Sequence, residues 1–191
     1  MDRKQVLLAG GIGSGKTEVG RMLQRRGCCI IDADQVGHKV LEPGGEAFDQ
    51  VVAAFPDVLV DGAIDRGLLA AEVFADPRRL RLLESLTHPA IRDRIHRSVE
   101  ESGSRIVVVE VPLISDFLGD GWMRVVVDAP PERRLYRLHV RGMDPEDARR
   151  RMDAQPSRGE WRDAADFVVD NSGDLKDLER EVERLWSWLS D

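Results

Sequence analysis

Cysteine is scarce in this chain, long apolar runs are missing, and positive charge is in deficit. The two cysteines, Cys28 and Cys29, are adjacent. They are too cramped for an ordinary bridge and lie at the edge of a strand-like run, so they read as core thiols. No stretch approaches the roughly 20 apolar residues that cross a bilayer. Met1-Asp2-Arg3-Lys4-Gln5 lacks the apolar region of a signal peptide. A cytoplasmic protein with no membrane partner is expected. The net charge of −7 argues against an extended nucleic-acid surface, which needs clustered positive charge. Internal repeats and disordered tracts are missing as well. What remains, 42% hydrophobic over 191 residues, suffices for one good core with a small insertion, expected to act as a monomer.

What is present centres on Gly10-Gly11-Ile12-Gly13-Ser14-Gly15-Lys16-Thr17. In G-x-x-x-x-G-K-[ST] the glycines let main-chain N–H groups curl around an anion. The lysine reaches the β- and γ-phosphates, and the hydroxyl ligates magnesium. The flanks agree: Val6-Leu7-Leu8-Ala9 has strand character, and Val19, Met22 and Leu23 recur at helical spacing. Gly11, Ile12, Gly13, Ser14, Gly15, Lys16, Thr17 and Glu18 are therefore the expected ATP-binding set. Glu18 stands where many such loops carry a second hydroxyl, and its charge works against a nucleotide.

A helix is predicted from about Gly15 to Arg26, stopping at Gly27. Strand two, Cys28-Cys29-Ile30-Ile31, ends in Asp32-Ala33-Asp34. Carboxylates two apart on a strand face the same side, at the edge where open α/β sheets bind ligands. Either could instead cap the helix that follows. Gln35 to Gly103 reads as helical, broken at Pro43-Gly44-Gly45, Pro56 and Asp61-Gly62, with no convincing parallel strand. His88-Pro89 lies there among Leu82, Leu83, Leu86, Ile91 and Ile95, where a histidine either packs or functions.

Arg105 to Val111 is the most apolar run and predicts a central strand buried on both faces. Its Glu110 is either a magnesium-site carboxylate or an exposed strand-end group. Pro112-Leu113 then leaves the sheet. Val125 to Asp128 and Phe167 to Asn171 are strands four and five, and Leu175, Leu178, Val182, Leu185 and Leu189 give the last helix its inward stripe. Between them, residues 131–165 hold nine Arg against seven Asp or Glu in an otherwise acidic chain. Two helices are predicted, Glu132 to Arg141 and Pro145 to Gln155. Arg137 and Arg141 share a face, where they either neutralise a transferring phosphate or form a solvated surface.

The motifs, in order, resemble dephospho-coenzyme A kinases over nearly the whole chain. The matching stretches are Gly10 to Lys16, Ile31-Asp32-Ala33-Asp34, Asp61-Gly62 through Ile64-Asp65-Arg66, Val73-Phe74, His88-Pro89, Pro112-Leu113, Arg137 with Arg141, Gln155, and Ala165-Asp166 through Asp170-Asn171-Ser172-Gly173. The chain departs from the pattern at Glu18, Arg134, Ile114-Ser115-Asp116 and Met123. The resemblance implies an α/β phosphate-loop kinase with a five-stranded parallel sheet flanked by helices. Its core is 1–34, 104–130 and 166–191, its helical acceptor-binding insertion 35–103 and its lid 131–165. The implied reaction moves the γ-phosphate of MgATP to the ribose 3′-hydroxyl of dephospho-coenzyme A. Asp34, Lys16, Arg137 and Arg141 are the implied catalytic groups, Asp34 as the base or the residue that orients the hydroxyl. Asp34, His88, Pro112 and Leu113 are assigned to the acceptor, and Thr17, Asp32 and Glu110 to Mg2+. Another small-acceptor kinase, for a nucleoside monophosphate or a sugar, would share the loop, carboxylates and arginines. A nucleotide switch would need a guanine-reading N-K-x-D, which the chain lacks.

Overall fold

The computed structural model describes residues 3–113 and 116–191; the expectation about the Ile114, Ser115 and Asp116 side chains lies outside the described residues. Contacts divide the chain into residues 1–31 with 102–191, and residues 32–101.

The first unit is built on a five-stranded sheet in the order β2-β5-β1-β6-β7, comprising β1 (Lys4–Ala9), β2 (Cys29–Asp32), β5 (Ile106–Glu110), β6 (Met123–Asp128) and β7 (Phe167–Asp170). β1 pairs in parallel with β5 on one side and β6 on the other, and β6 with β7. Parallel strands covered by helices on both faces need apolar residues at consecutive positions. Accordingly Val6 to Ala9 and Ile106 to Val109 are all buried. Helices α1 (Lys16–Gln24) and α9 (Leu175–Ser190) contribute Val19, Met22, Leu23, Leu178, Val182, Leu185 and Leu189 to the same core. Cys28 belongs to it too, and burial pushes its thiol up to about 11, which leaves it protonated and inert, as a core thiol should be.

Between β6 and β7 lie α6 (Pro131–Val140), α7 (Pro145–Asp153) and the short α8 (Arg158–Asp163). The last was not anticipated; a capping box, in which Glu160 N donates to Ser157 Oγ and Ser157 N to the Glu160 carboxylate, starts it. Its two arginines are tied to the sheet through Asp128, at the end of β6. Arg158 Nε donates to Asp128 Oδ1 at 2.9 Å and Nη2 to Oδ2 at 2.8 Å, while Arg162 Nη1 reaches Oδ2 at 2.6 Å. Asp128 is 5% exposed. Burial opposes its ionisation, but the bonds from Arg158 and then Arg162 outweigh that and hold its pKa below the usual carboxylate value. Removing one partner of a fully buried pair costs about 3–5 kcal/mol. Both arginines are half exposed, so about 2–3 kcal/mol is expected for Asp128→Ala after allowing for solvent screening. A depressed pKa gives stability that is complete above the ordinary carboxyl value of about 3.9 and fades as pH falls through the lowered value. Denaturant midpoints should therefore separate wild type from Asp128→Ala by a constant amount at pH 5 and 7, and by less on acidification below about pH 4.

The second unit contains α2 (Ala33–Val40), α3 (Phe48–Ala54), α4 (Arg66–Ala75) and α5 (Pro77–Glu101). They close over a core of their own made from Val40, Ala47, Val51, Phe55, Val58, Leu69 and Val73. The helical reading missed one feature. Strands β3 (Leu59–Val60) and β4 (Ala63–Ile64) form an antiparallel hairpin. Its turn is Asp61-Gly62, with φ of 50° and 79°, and the paired positive φ of a type I′ turn is what Asp-Gly favours. Pro89 sits inside α5 without ending it. Beside it Thr87 is buried and His88 exposed, so the histidine turns out from the apolar face that Leu83, Leu86 and Ile91 present to this core.

Candidate active site

β1 delivers the chain into the phosphate loop at the carboxyl edge of the sheet, the edge where parallel α/β sheets bind ligands. The loop's tight course needs glycine at three points: Gly10, Gly13 and Gly15 have φ of 145°, 78° and 104°. At Gly15 a Cβ would also collide with Asn171 Nδ2, so close approach and backbone conformation coincide there. α1 begins at the next residue, Lys16, and adds its positive dipole end. Lys16 Nζ donates to Gly10 O at 2.6 Å, folded along its own loop. Glu18 pairs with Arg21 at 3.4 Å and Arg25 at 3.9 Å, so part of its charge is offset on α1.

The loop's outer side is held by side chains distant in sequence. Ile12 N donates to Gln155 Oε1 at 2.8 Å, and Ile12 O accepts from Arg134 Nε at 2.8 Å. Both polar main-chain groups of Ile12 are thus engaged, which makes it an anchor of the loop. Ser14 O accepts from Asn171 Nδ2 at 2.6 Å and Arg137 Nη1 at 3.2 Å. Arg137 Nη2 also donates to Asn171 Oδ1 at 3.0 Å. Burial, followed by the like charges of Arg133 and Arg141, lowers its pKa, although a guanidinium remains cationic at neutral pH. Arg137 braces the loop through main-chain and Asn171 contacts, whereas Arg141, one turn on, is exposed. Sequence reasoning gave Arg134, Gln155 and Asn171 no role in the site. Asn171 and Gln155 lay within matched motifs, so a signal for them existed. For Arg134, a departure from the pattern, only the fold reveals the contact.

A hollow of about 570 Å³ opens beside the loop, lined by Gly15, Tyr136, Arg137, Arg141, Asn171 and Leu178 among others. Small-molecule sites fall between about 300 and 1,000 Å³. Apolar walls with a few converging polar groups suit a base and ribose, next to a loop built for phosphates. A second hollow between α1 and α9, lined by Arg25, Arg26, Lys176 and Glu183, lacks such a loop.

Glu110 ends β5, and a Cβ on Gly20 would collide with its Oε1. Gly20 is three residues beyond Thr17, so the carboxylate lies on the α1 face that carries the loop hydroxyl. Among the described residues no three acidic, histidine or cysteine side chains cluster as a metal cage. Magnesium held mainly by phosphates and water needs only one or two protein oxygens, and Thr17 with Glu110 fits that donor set.

The expectation for Asp32 and Asp34 as same-sided strand residues is corrected. β2 stops at Asp32 and α2 starts at Ala33, so Asp34 stands in the first turn of a helix, where strand alternation does not apply. Asp32 is the cap: its Oδ1 accepts from Asp34 N at 2.9 Å and Gln35 N at 3.2 Å. Asp34 and His88 are exposed residues of the second unit, while Pro112 and Leu113 are exposed after β5 in the first.

The dephospho-CoA kinase family model matches residues 5–177. A dephospho-CoA kinase of Frankia casuarinae is 44% identical over 95% of this chain and 82% of its own length. One from Streptomyces avermitilis is 43% identical over 97% and 93%. Among solved structures, a Thermus thermophilus protein superposes with a TM-score of 0.87 at 31% identity over 99% of both chains. The dephospho-CoA kinase of Campylobacter jejuni gives 0.72 at 25% identity, over 97% of this chain and 96% of that one. A shikimate kinase of Bacteroides thetaiotaomicron, at 15% identity and 0.54, shares the fold alone. The match runs from β1 to the start of α9 and so takes in the phosphate loop, the helices of the second unit and the arginine-bearing α6. The chain belongs to the dephospho-CoA kinase family.

Proposed function

We infer that this protein transfers the γ-phosphate of ATP to the ribose 3′-hydroxyl of dephospho-coenzyme A, the last step of coenzyme A synthesis. The observation that carries the reading is a phosphate loop opening onto a nucleotide-sized hollow, in a chain of this family. The hydroxyl oxygen attacks the γ-phosphorus, the bond to the β,γ-bridging oxygen breaks, ADP leaves, and the hydroxyl proton passes to Asp34. Lys16 neutralises charge that builds on the bridging oxygen, where it is worth more than in the ground state. Arg141 meets the transferring phosphate when residues 131–165 close as a lid, and Arg137 keeps the loop in shape for it. His88, Pro112 and Leu113 contact the acceptor held by the helical insertion.

Thr17, with Glu110 and Asp32, would hold Mg2+, which would offset the negative charge of the phosphates during transfer. We propose that the protein works as a monomer in the cytoplasm on these two small molecules, without a nucleic-acid or membrane partner. No helix among the described residues is long and apolar enough to cross a membrane.

The test is ADP release in MgATP against a panel of dephospho-coenzyme A, adenosine, AMP and gluconate. Turnover should rise above solvent hydrolysis with dephospho-coenzyme A and stay near that baseline with the others. Comparable turnover with AMP or gluconate would transfer the protein to another acceptor class.

A further inference from the structure

Arg134 is 7% exposed, yet among the described residues its side-chain bonds go to neutral oxygens: Nε to Ile12 O at 2.8 Å and Nη2 to Gln155 Oε1 at 3.0 Å. Gln155 Oε1 also accepts Ile12 N at 2.8 Å, so guanidinium, amide oxygen and the Ile12 main chain close a ring. The loop lies directly on this ring. A Cβ on Gly11 would collide with the guanidinium, and one on Gly13 would come within 2.9 Å of Arg134 O. Arg134 and Gln155 flank α7 on either side, so the ring joins both ends of the segment containing α6 and α7 to a single peptide of the loop. The neighbouring charge is Asp128, whose carboxylate is already committed to Arg158 and Arg162.

We propose that Arg134, acting through Ile12 and Gln155, is a positioning residue for the nucleotide: it fixes the phosphate loop in its anion-binding shape without touching ATP. A buried guanidinium is desolvated already, and its planar fork spans two acceptors at a fixed angle, which a lysine ammonium cannot reproduce. Left to itself, the Ile12 peptide would rotate between conformers, and nucleotide binding would have to select the competent one. That selection lowers apparent affinity by the competent fraction. The acceptor lies outside this coupling, so its Michaelis constant should not respond.

The inference deepens the kinase reading and has a readout independent of it, namely MgADP affinity by titration calorimetry with no acceptor present. Arg134→Met and Arg134→Lys should each weaken MgADP and raise the KM for ATP about tenfold, with the KM for dephospho-coenzyme A changed less than twofold. Gln155→Glu keeps acceptor oxygens for both partners and should lose less MgADP affinity than Gln155→Leu. Gln155→Leu removes them from a half-buried position and should show part of the Arg134→Met loss. Should Arg134→Met prove too unstable to assay, Gln155→Leu alone decides the matter. Wild-type MgADP affinity in a folded Arg134→Met or Gln155→Leu, full rescue by Arg134→Lys, or an equal rise in both Michaelis constants would overturn the proposal. If wild type binds MgADP but does not turn over dephospho-coenzyme A, the kinase reading fails while the positioning role is still measured.

Discussion

Lys16→Ala is expected to lower turnover by at least about two orders of magnitude. In the structure the ammonium donates to Gly10 O, a main-chain group of the loop that β1 leads into. Moving from that carbonyl to a phosphate exchanges a neutral acceptor for a charged one and so adds ion–ion attraction to a bond whose donor is already charged. The gain is largest where charge builds, in the transition state, so kcat should fall further than nucleotide affinity. Loop shape rests on the backbone conformations of Gly10, Gly13 and Gly15 and on the contacts of Ile12 and Ser14, to which the ammonium adds its bond to Gly10 O. Stability should change little. Steady-state kinetics on a variant with an unchanged melting midpoint decides the matter, and wild-type turnover would remove Lys16 from the mechanism.

Asp34→Asn should lower acceptor-dependent turnover by about 10²–10⁴-fold, the range in which a positioned general base contributes. ATP affinity by calorimetry should barely change. The substitution keeps volume and hydrogen-bonding capacity but loses the proton acceptor. Asp34 donates its main-chain N–H to the Asp32 cap, and that bond survives the change. Folding of α2 is therefore not at stake, and a loss of activity reports on the side chain. A collapse of ATP affinity instead would make Asp34 a metal-site group and end its assignment as base.

The difference between the two aspartates shows where sequence reading stops. Strand-loop-helix order, the glycines and the apolar runs are local patterns, and local patterns carried the sheet and the phosphate loop. The boundary between β2 and α2 turned on one peptide, and reading Asp34 as a strand residue gave it the wrong facing rule. The β3–β4 hairpin was overlooked despite its Asp-Gly turn because each strand is only two residues long, too short to show alternation. Long-range polar contacts were beyond reach altogether. Arg134 meets Ile12 across 122 residues and Gln155 meets it across 143, and no periodicity encodes such a meeting. Arg137 was singled out for its spacing from Arg141, yet its partners, Ser14 and Asn171, come from elements at the two ends of the chain.

Identification of the product tests the central claim most directly. Wild-type protein incubated with MgATP and dephospho-coenzyme A should give a species heavier by one phosphoryl group. Its new 31P resonance should be that of a phosphomonoester coupled to the ribose H3′, appearing in step with ADP. A phosphomonoester at the 2′ position, or ADP formed while dephospho-coenzyme A stays unchanged, would contradict the account.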